Sequence, residues 1–286
     1  MERQPYSHKE KAMAYNEYEA STFSGRPIHL YEFTIDTKAW YVTSADSDIS
    51  VGGRLYKTLG IEDDGVSQTG EAQTDSFTIR LPITFDLVSL YVNTPPINDV
   101  LVKRARVHEN DNELAYNYVG FINNVNFTTP GVAEITCQTL GPTMQRNGLR
   151  LTWQRGCPYV LYDQTTCKVN KDAHKLTTTV TNAQGGKITV AADIAAFGDN
   201  YFTAGFVEWV DRRTGGPNRR GITSQIGNTI TLLGRSDGIA NGDPIYIYPG
   251  CNRVAQTCSS KFNNMANYGG EPHIPGKSPF SGDPIF

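Results

Sequence analysis

Four cysteines fall into two pairs in the second half of this 286-residue chain, and few of its other residues are spaced to do chemistry. Cys157 and Cys167 lie in "GCPYVLYDQTTCKV" with nine residues between them, and Cys251 and Cys258 lie in "GCNRVAQTC" with six between. Three chemistries use four thiols. Disulfides need an oxidising compartment, and four cysteines permit three pairings. The opening "MERQPYSHKEKAMAYNEYEAS" lacks the apolar centre of a signal peptide, so the expectation is a chain made in a reducing, cytosol-like compartment. A structural zinc ion is usually gripped by tight Cys-x-x-Cys knuckles, and neither pair has that form, although longer zinc loops exist. An iron–sulfur cluster takes each thiolate on a separate iron, so its ligands approach from well-separated backbone positions. The spacings favour the cluster and leave zinc open. They differ from the ferredoxin patterns, so ordinary ferredoxin-like electron transfer gains no support.

Other constellations are missing or bland. The five histidines (His8, His29, His108, His174 and His273) are scattered singly, with no H-E-x-x-H and no G-x-S-x-G. No glycine-rich phosphate cradle follows a strand and precedes a helix. His273 in "EPHIPG" reads as a loop anchor, and Glu62, Asp63 and Asp64 as a solvated acidic turn. Cys137 alternates with polar neighbours in "GVAEITCQTL" and reads as a small buried side chain. Trp40, Trp153 and Trp209 lie in strand-like segments and are assigned to the core. An enzyme is not expected.

The elements that must position the cysteines are mostly strands. Hydrophobic residues make up 38% and charged residues 19%, enough for a packed core. Tyr, Phe and Thr are plentiful, and short segments alternate between Gly and Asp turns. In "DSFTIRL", Phe77, Ile79 and Leu81 alternate with polar residues, which gives one buried face. A helix is expected over residues 7–20, with Ser7 as N-cap and Glu10 closing a capping box. "KLTTTVTNAQGGKITV" reads as a hairpin across Gln184-Gly185-Gly186, and three strands follow before "GIANGDPIYIYPG". The expected class is therefore mainly β: a small barrel or tube-like domain, a second small β module, and an irregular cysteine-bearing tail. The divisions are 1–27 (N-terminal helical arm), 28–150 (β-barrel domain), 151–175 (first cysteine pair), 176–248 (second β module) and 249–286 (second pair and tail). The formal net charge of −3 argues against nucleic acid as partner, and no apolar run reaches bilayer length.

The tail "GCNRVAQTCSSKFNNMANYGGEPHIPG" resembles the C-terminal signature of a phage tail-tip (baseplate hub) family. That family includes the minor tail protein L of lambda-like phages and a hub protein of gene transfer agents. "WQRGCPYVLYDQTTCKVN" resembles its first cysteine pair, "YFTAGFVEWVDRRTGGPNRRGI" its strand pair, and "YEFTI" onward its opening meander. The likeness runs from Leu30 to Gly276, specific at the C-terminus and diffuse in the first half. It implies that Cys157, Cys167, Cys251 and Cys258 hold a [4Fe–4S] cluster; zinc remains the alternative cofactor from the spacings. It also implies β-barrel domains related to tail-tube proteins and a homotrimer at the virion tail tip. There the protein would lie between a distal tail or tube protein and a central fibre or host-specificity protein, after synthesis in the host cytoplasm. The cluster would staple the second module and tail to the first. A structural zinc β protein and an iron–sulfur redox protein are the competing readings.

Overall fold

A computed structural model describes residues 19–21, 27–66, 76–108, 113–139, 151 and 153–274. The helix expected over 7–20 lies outside these residues except for Glu19 and Ala20, which are helical. The chain divides into two compact units, residues 1–145 and 146–286.

The first unit is built on nine strands: β1 (Pro27–Ile35), β2 (Lys38–Thr43), β3 (Ile49–Val51), β4 (Arg54–Thr58), β5 (Glu62–Asp63), β6 (Ser76–Pro82), β7 (Leu101–His108), β8 (Ala115–Thr129) and β9 (Val132–Gln138). They form one sheet in the order β3-β4-β2-β1-β7-β8-β9-β6-β5, with a one-turn helix, α1 (Asp86–Ser89), after β6. The alternation read in β6 is real: Phe77, Ile79 and Leu81 are buried, and they pair with Cys137, Ile135 and Ala133 of β9. Cys137 is a core residue, and burial pushes its thiol up to about 12. Each such aliphatic side chain contributes about 1.5–3 kcal/mol by leaving water.

Asp63 is not on a solvated face. Its side chain is 5% exposed and pairs with the buried Arg104, Nε to Oδ2 at 2.7 Å and Nη2 to Oδ1 at 3.2 Å. The Tyr31 hydroxyl donates to the same carboxylate. Burial alone would raise the Asp63 carboxyl, but Tyr31 and Arg104 hold it below its ordinary value. The short strand β5 beside β6 turns this carboxylate inward, a placement no local acidic pattern shows.

In the second unit, β10 (Leu176–Gln184), β11 (Lys187–Val190), β12 (Phe206–Val210), β13 (Pro217–Ile226), β14 (Thr229–Leu232) and β15 (Pro244–Tyr248) close into a barrel. The ring order is β10-β11-β14-β13-β12-β15, so every strand finds two neighbours and no edge is left open. The β10–β11 hairpin turns at Gly185-Gly186 as its sequence predicts. Val180, Ile188, Val207, Ile230, Ile245 and Ile247 fill the interior, with Trp209 beside them. Trp40 is half-buried against the first unit's core, but Trp153 is 87% exposed and belongs to no strand. The core assignment fails for Trp153 because its segment pairs with no sheet, so nothing turns the indole inward. Among the described residues no helix is long and apolar enough to cross a membrane.

Candidate thiol-lined site

The barrel delivers the second cysteine pair. Strand β15 ends at Tyr248, and Pro249-Gly250 carries the chain directly to Cys251. The tail that follows is less irregular than its composition suggests, because it contains the helix α2 (Ala255–Phe262). The Asn252 side chain accepts from Val254 N–H at 3.1 Å just before the first turn. At the other end Asn263 adopts the left-handed conformation at φ 47°. Its N–H reaches Ser259 O at 3.0 Å, and Asn264 N–H reaches Cys258 O at 3.0 Å, so the last carbonyls are capped. Cys258 and Phe262, four residues apart, form the buried face.

The first pair sits on a loop shaped by Asp163, whose carboxylate accepts from Thr166 N–H at 2.8 Å and from the Thr165 and Thr166 hydroxyls at 2.7 and 2.5 Å. Asp163 O then accepts from Lys168 N–H at 2.7 Å, closing the turn that presents Cys167. Tyr162 points inward, and its hydroxyl donates to Pro249 O at 2.7 Å. Cys167, Tyr162, Val169, Tyr248 and Phe262 form a small buried cluster beneath the site.

Hydrogen bonds then bring the pairs together. Cys157 N–H donates to Arg253 O at 2.9 Å. Asn264 Nδ2 donates to Cys167 O at 2.5 Å and faces Cys167 Sγ at 3.8 Å, while Cys258 Sγ donates to Asn264 O at 3.3 Å. Arg253 N–H reaches Cys251 Sγ at 3.3 Å. The Tyr268 hydroxyl donates to Arg155 O at 2.8 Å and approaches Arg253 O at 3.2 Å. Close approach here depends on missing side chains. A Cβ on Gly269 would enter the Tyr159 ring, and one on Gly270 would lie 2.6 Å from Arg155 O.

All four cysteines of the two pairs line one cavity of about 370 Å³. All are free thiols. Burial pushes the Cys258 thiol up, and the facing Cys251, Cys157 and Cys167 thiolates push it further in the same direction. The raised pKa keeps the Cys258 thiol protonated while the site holds no cation, and a bound cation would favour the thiolate form. A single zinc ion requires sulfurs at about 2.3 Å from one point. Among the described residues no three His, Cys, Asp or Glu side chains close on a point in that way. The donor set is all sulfur, which suits zinc or an iron–sulfur cluster and not a hard cation.

His273 is exposed, and the segment around it is anchored by its main chain instead: Glu271 N–H donates to Gln154 O at 2.9 Å and Ile274 O accepts from Arg155 Nε at 2.6 Å. Asn264, Lys261 and Tyr162 were not singled out from the sequence. The helix-ending "NN" was a usable signal for a cap, but nothing local points to Cys167 as the partner.

Residues 200–278, which include Cys251 and Cys258, match the family described as "Phage conserved hypothetical protein BR0599". An uncharacterized protein of Xylella fastidiosa (strain 9a5c) is 25% identical over 140 residues, 49% of this chain and 28% of that protein's own length. A chain from the structure titled "Virion of native gene transfer agent (GTA) particle" superposes with a TM-score of 0.75 at 19% identity, covering 94% of both chains. The fold is shared over 94% of each chain.

Proposed function

We propose that the chain is a structural protein of a phage-type virion, a tail-tip hub that joins the tail tube to a central fibre or host-specificity protein. The observation that carries this reading is the correspondence of fold over 94% of both chains with a protein of a gene transfer agent virion. The match of residues 200–278 to a phage-conserved family supports it independently. The barrel and the nine-stranded sheet offer two β units per subunit, which suits three copies continuing a tube of sixfold symmetry.

In this proposal Cys157, Cys167, Cys251 and Cys258 hold a [4Fe–4S] cluster. The four thiols on one cavity wall support it, as do the glycines that let two loops close around that wall. When bound, the cluster would supply covalent cross-linking and offset part of the thiolate charge. The chain's own residues do the rest: Asn264, Arg253 and Tyr268 hold the loops in register, and the Tyr162 cluster closes the site's floor. Such bonds order loops that bury too little apolar surface to order themselves.

Protein purified without oxygen is expected to be brown, with iron matching acid-labile sulfide. Zinc with four reduced thiols would replace the cluster by a mononuclear site; no metal at all would remove the staple. Cys251→Ser is expected to loosen the tail and the barrel while leaving the first unit's strands folded. A Cys251→Ser protein that stays fully ordered and assembles normally would sink the structural role. The hub reading is tested separately by immunogold labelling of particles: signal at the tail tip supports it, and signal elsewhere or none overturns it.

A further inference from the structure

Lys261 lies on α2, three residues after Cys258, and its ammonium is fixed in an unusual way. Nζ donates to Gly250 O at 2.8 Å and to Tyr201 O, and it rests 4.1 Å from the centre of the Tyr201 ring. Gly250 is the residue before Cys251. One side chain therefore links the helix bearing Cys258, the turn bearing Cys251 and the barrel segment before β12.

No Asp or Glu among the described residues pairs with Lys261, although the unit's other half-buried ammonium, that of Lys171, is paired with Glu208 at 2.8 Å. A half-buried ammonium held only by carbonyl dipoles and ring faces lacks a counter-charge. Burial pulls this amine towards neutrality, and the Cys251 thiolate pulls it back towards the charged form. A group held by four thiolates carries net negative charge, and its reduction potential depends on the charge around it.

We propose that Lys261 is the built-in counter-charge of the thiol site, fixing the charge balance and hence the reduction potential of the group bound there. This inference rests on the cluster reading above. Arg219 and Arg253 line the thiol cavity itself, whereas Lys261 lies behind the Gly250–Cys251 turn; Arg219 is 52% exposed in its side chain and Arg253 is exposed too, so solvent and salt screen both. Lys261 differs because its position is set by two main-chain carbonyls.

The test compares anaerobically purified full-length wild type with Lys261→Gln, Lys261→Met and, as a control, Arg219→Gln. Lys261→Gln keeps donors for the two carbonyls and removes the charge; Lys261→Met removes both. Iron and sulfide are measured first, then the potential for one-electron reduction by dithionite in a mediated titration. Both Lys261 variants are expected to shift to lower potential by a similar amount and to lose iron to a chelator several-fold faster. Arg219→Gln is expected to stay close to wild type. Unchanged potentials with iron and sulfide retained would overturn the inference alone. A shift in Lys261→Met only would make Lys261 a hydrogen-bonding strap, and an equal shift in Arg219→Gln would make the effect one of general surface charge; either result overturns it too. Wild type lacking iron and sulfide would overturn the cluster reading and this inference together. Should Lys261→Met fail to fold, Lys261→Gln against wild type and Arg219→Gln decides the matter.

Discussion

Asn264 and Cys167 lie 97 residues apart in sequence, yet the Asn264 side-chain amide donates to the Cys167 carbonyl at 2.5 Å. The same residue's N–H and carbonyl engage Cys258, so Asn264 joins one cysteine of each pair. Asn264→Ala is expected to cost about 1–2 kcal/mol, the usual loss when a part-buried partner is left unpaired. In metal-free protein Cys167 should then react faster with a thiol reagent. Labelling rates equal to wild type would show that the strap does not hold the loop.

Gly269 packs its bare Cα against the Tyr159 ring. Gly269→Ala is expected to lower the stability of the second unit by about 1–3 kcal/mol through overpacking. Tyr159→Ala added to it should recover part of that loss. Denaturant midpoints of the single and double variants check both statements, and an unchanged midpoint in Gly269→Ala would mean that the segment simply moves aside.

The Arg104–Asp63 pair makes the first unit sensitive to either partner. Arg104→Met or Asp63→Asn alone should destabilise that unit by about 3–5 kcal/mol, since each leaves a buried group uncompensated. The double variant is expected to lose less than the sum of the two. Strictly additive losses in a double-mutant cycle would show that the two side chains act independently.

His29 adds a pH dependence to the same network. Its ring nitrogen accepts from Arg104 Nη2 at 2.9 Å. Burial, then the adjacent Arg104 charge, holds its pKa below the ordinary 6.5. A histidine depressed in the folded state is protonated more readily when unfolded. Its stabilisation is therefore complete above 6.5 and lost as pH falls from there through the lowered folded value. The Asp63 contribution is lost further down, below its ordinary 3.8. Thermal melts between about pH 7 and 5 should fall with acidity, and His29→Gln should flatten that slope. An identical slope in His29→Gln would move the effect to another group.

Much of the architecture is legible in the chain because strand pattern is local. The alternation of Phe77, Ile79 and Leu81 fixes which face of β6 is buried, and the same holds for Ile245 and Ile247 in β15. The turn at Gly185-Gly186 marks its hairpin for the same reason. Trp153 and Asp63 depart from their local pattern because burial depends on what pairs alongside, and that partner is distant in sequence. The helix bearing Cys258 is not legible locally because its apolar stripe is only Cys258 and Phe262, too short to show a period.

By itself, then, the sequence determines the mainly β class and sets four thiols in two pairs on either side of a β module. It also supplies small residues where the backbone must come close, at Gly250, Gly269 and Gly270. Only the tertiary structure decides that the pairs face one cavity. Convergence requires β15 to close the barrel beside β10 and β12, and it requires Asn264, Arg253 and Tyr268 to bridge segments about a hundred residues apart. Chain closure over such distances is set by the pairing of whole strands, a property that no short stretch of sequence carries.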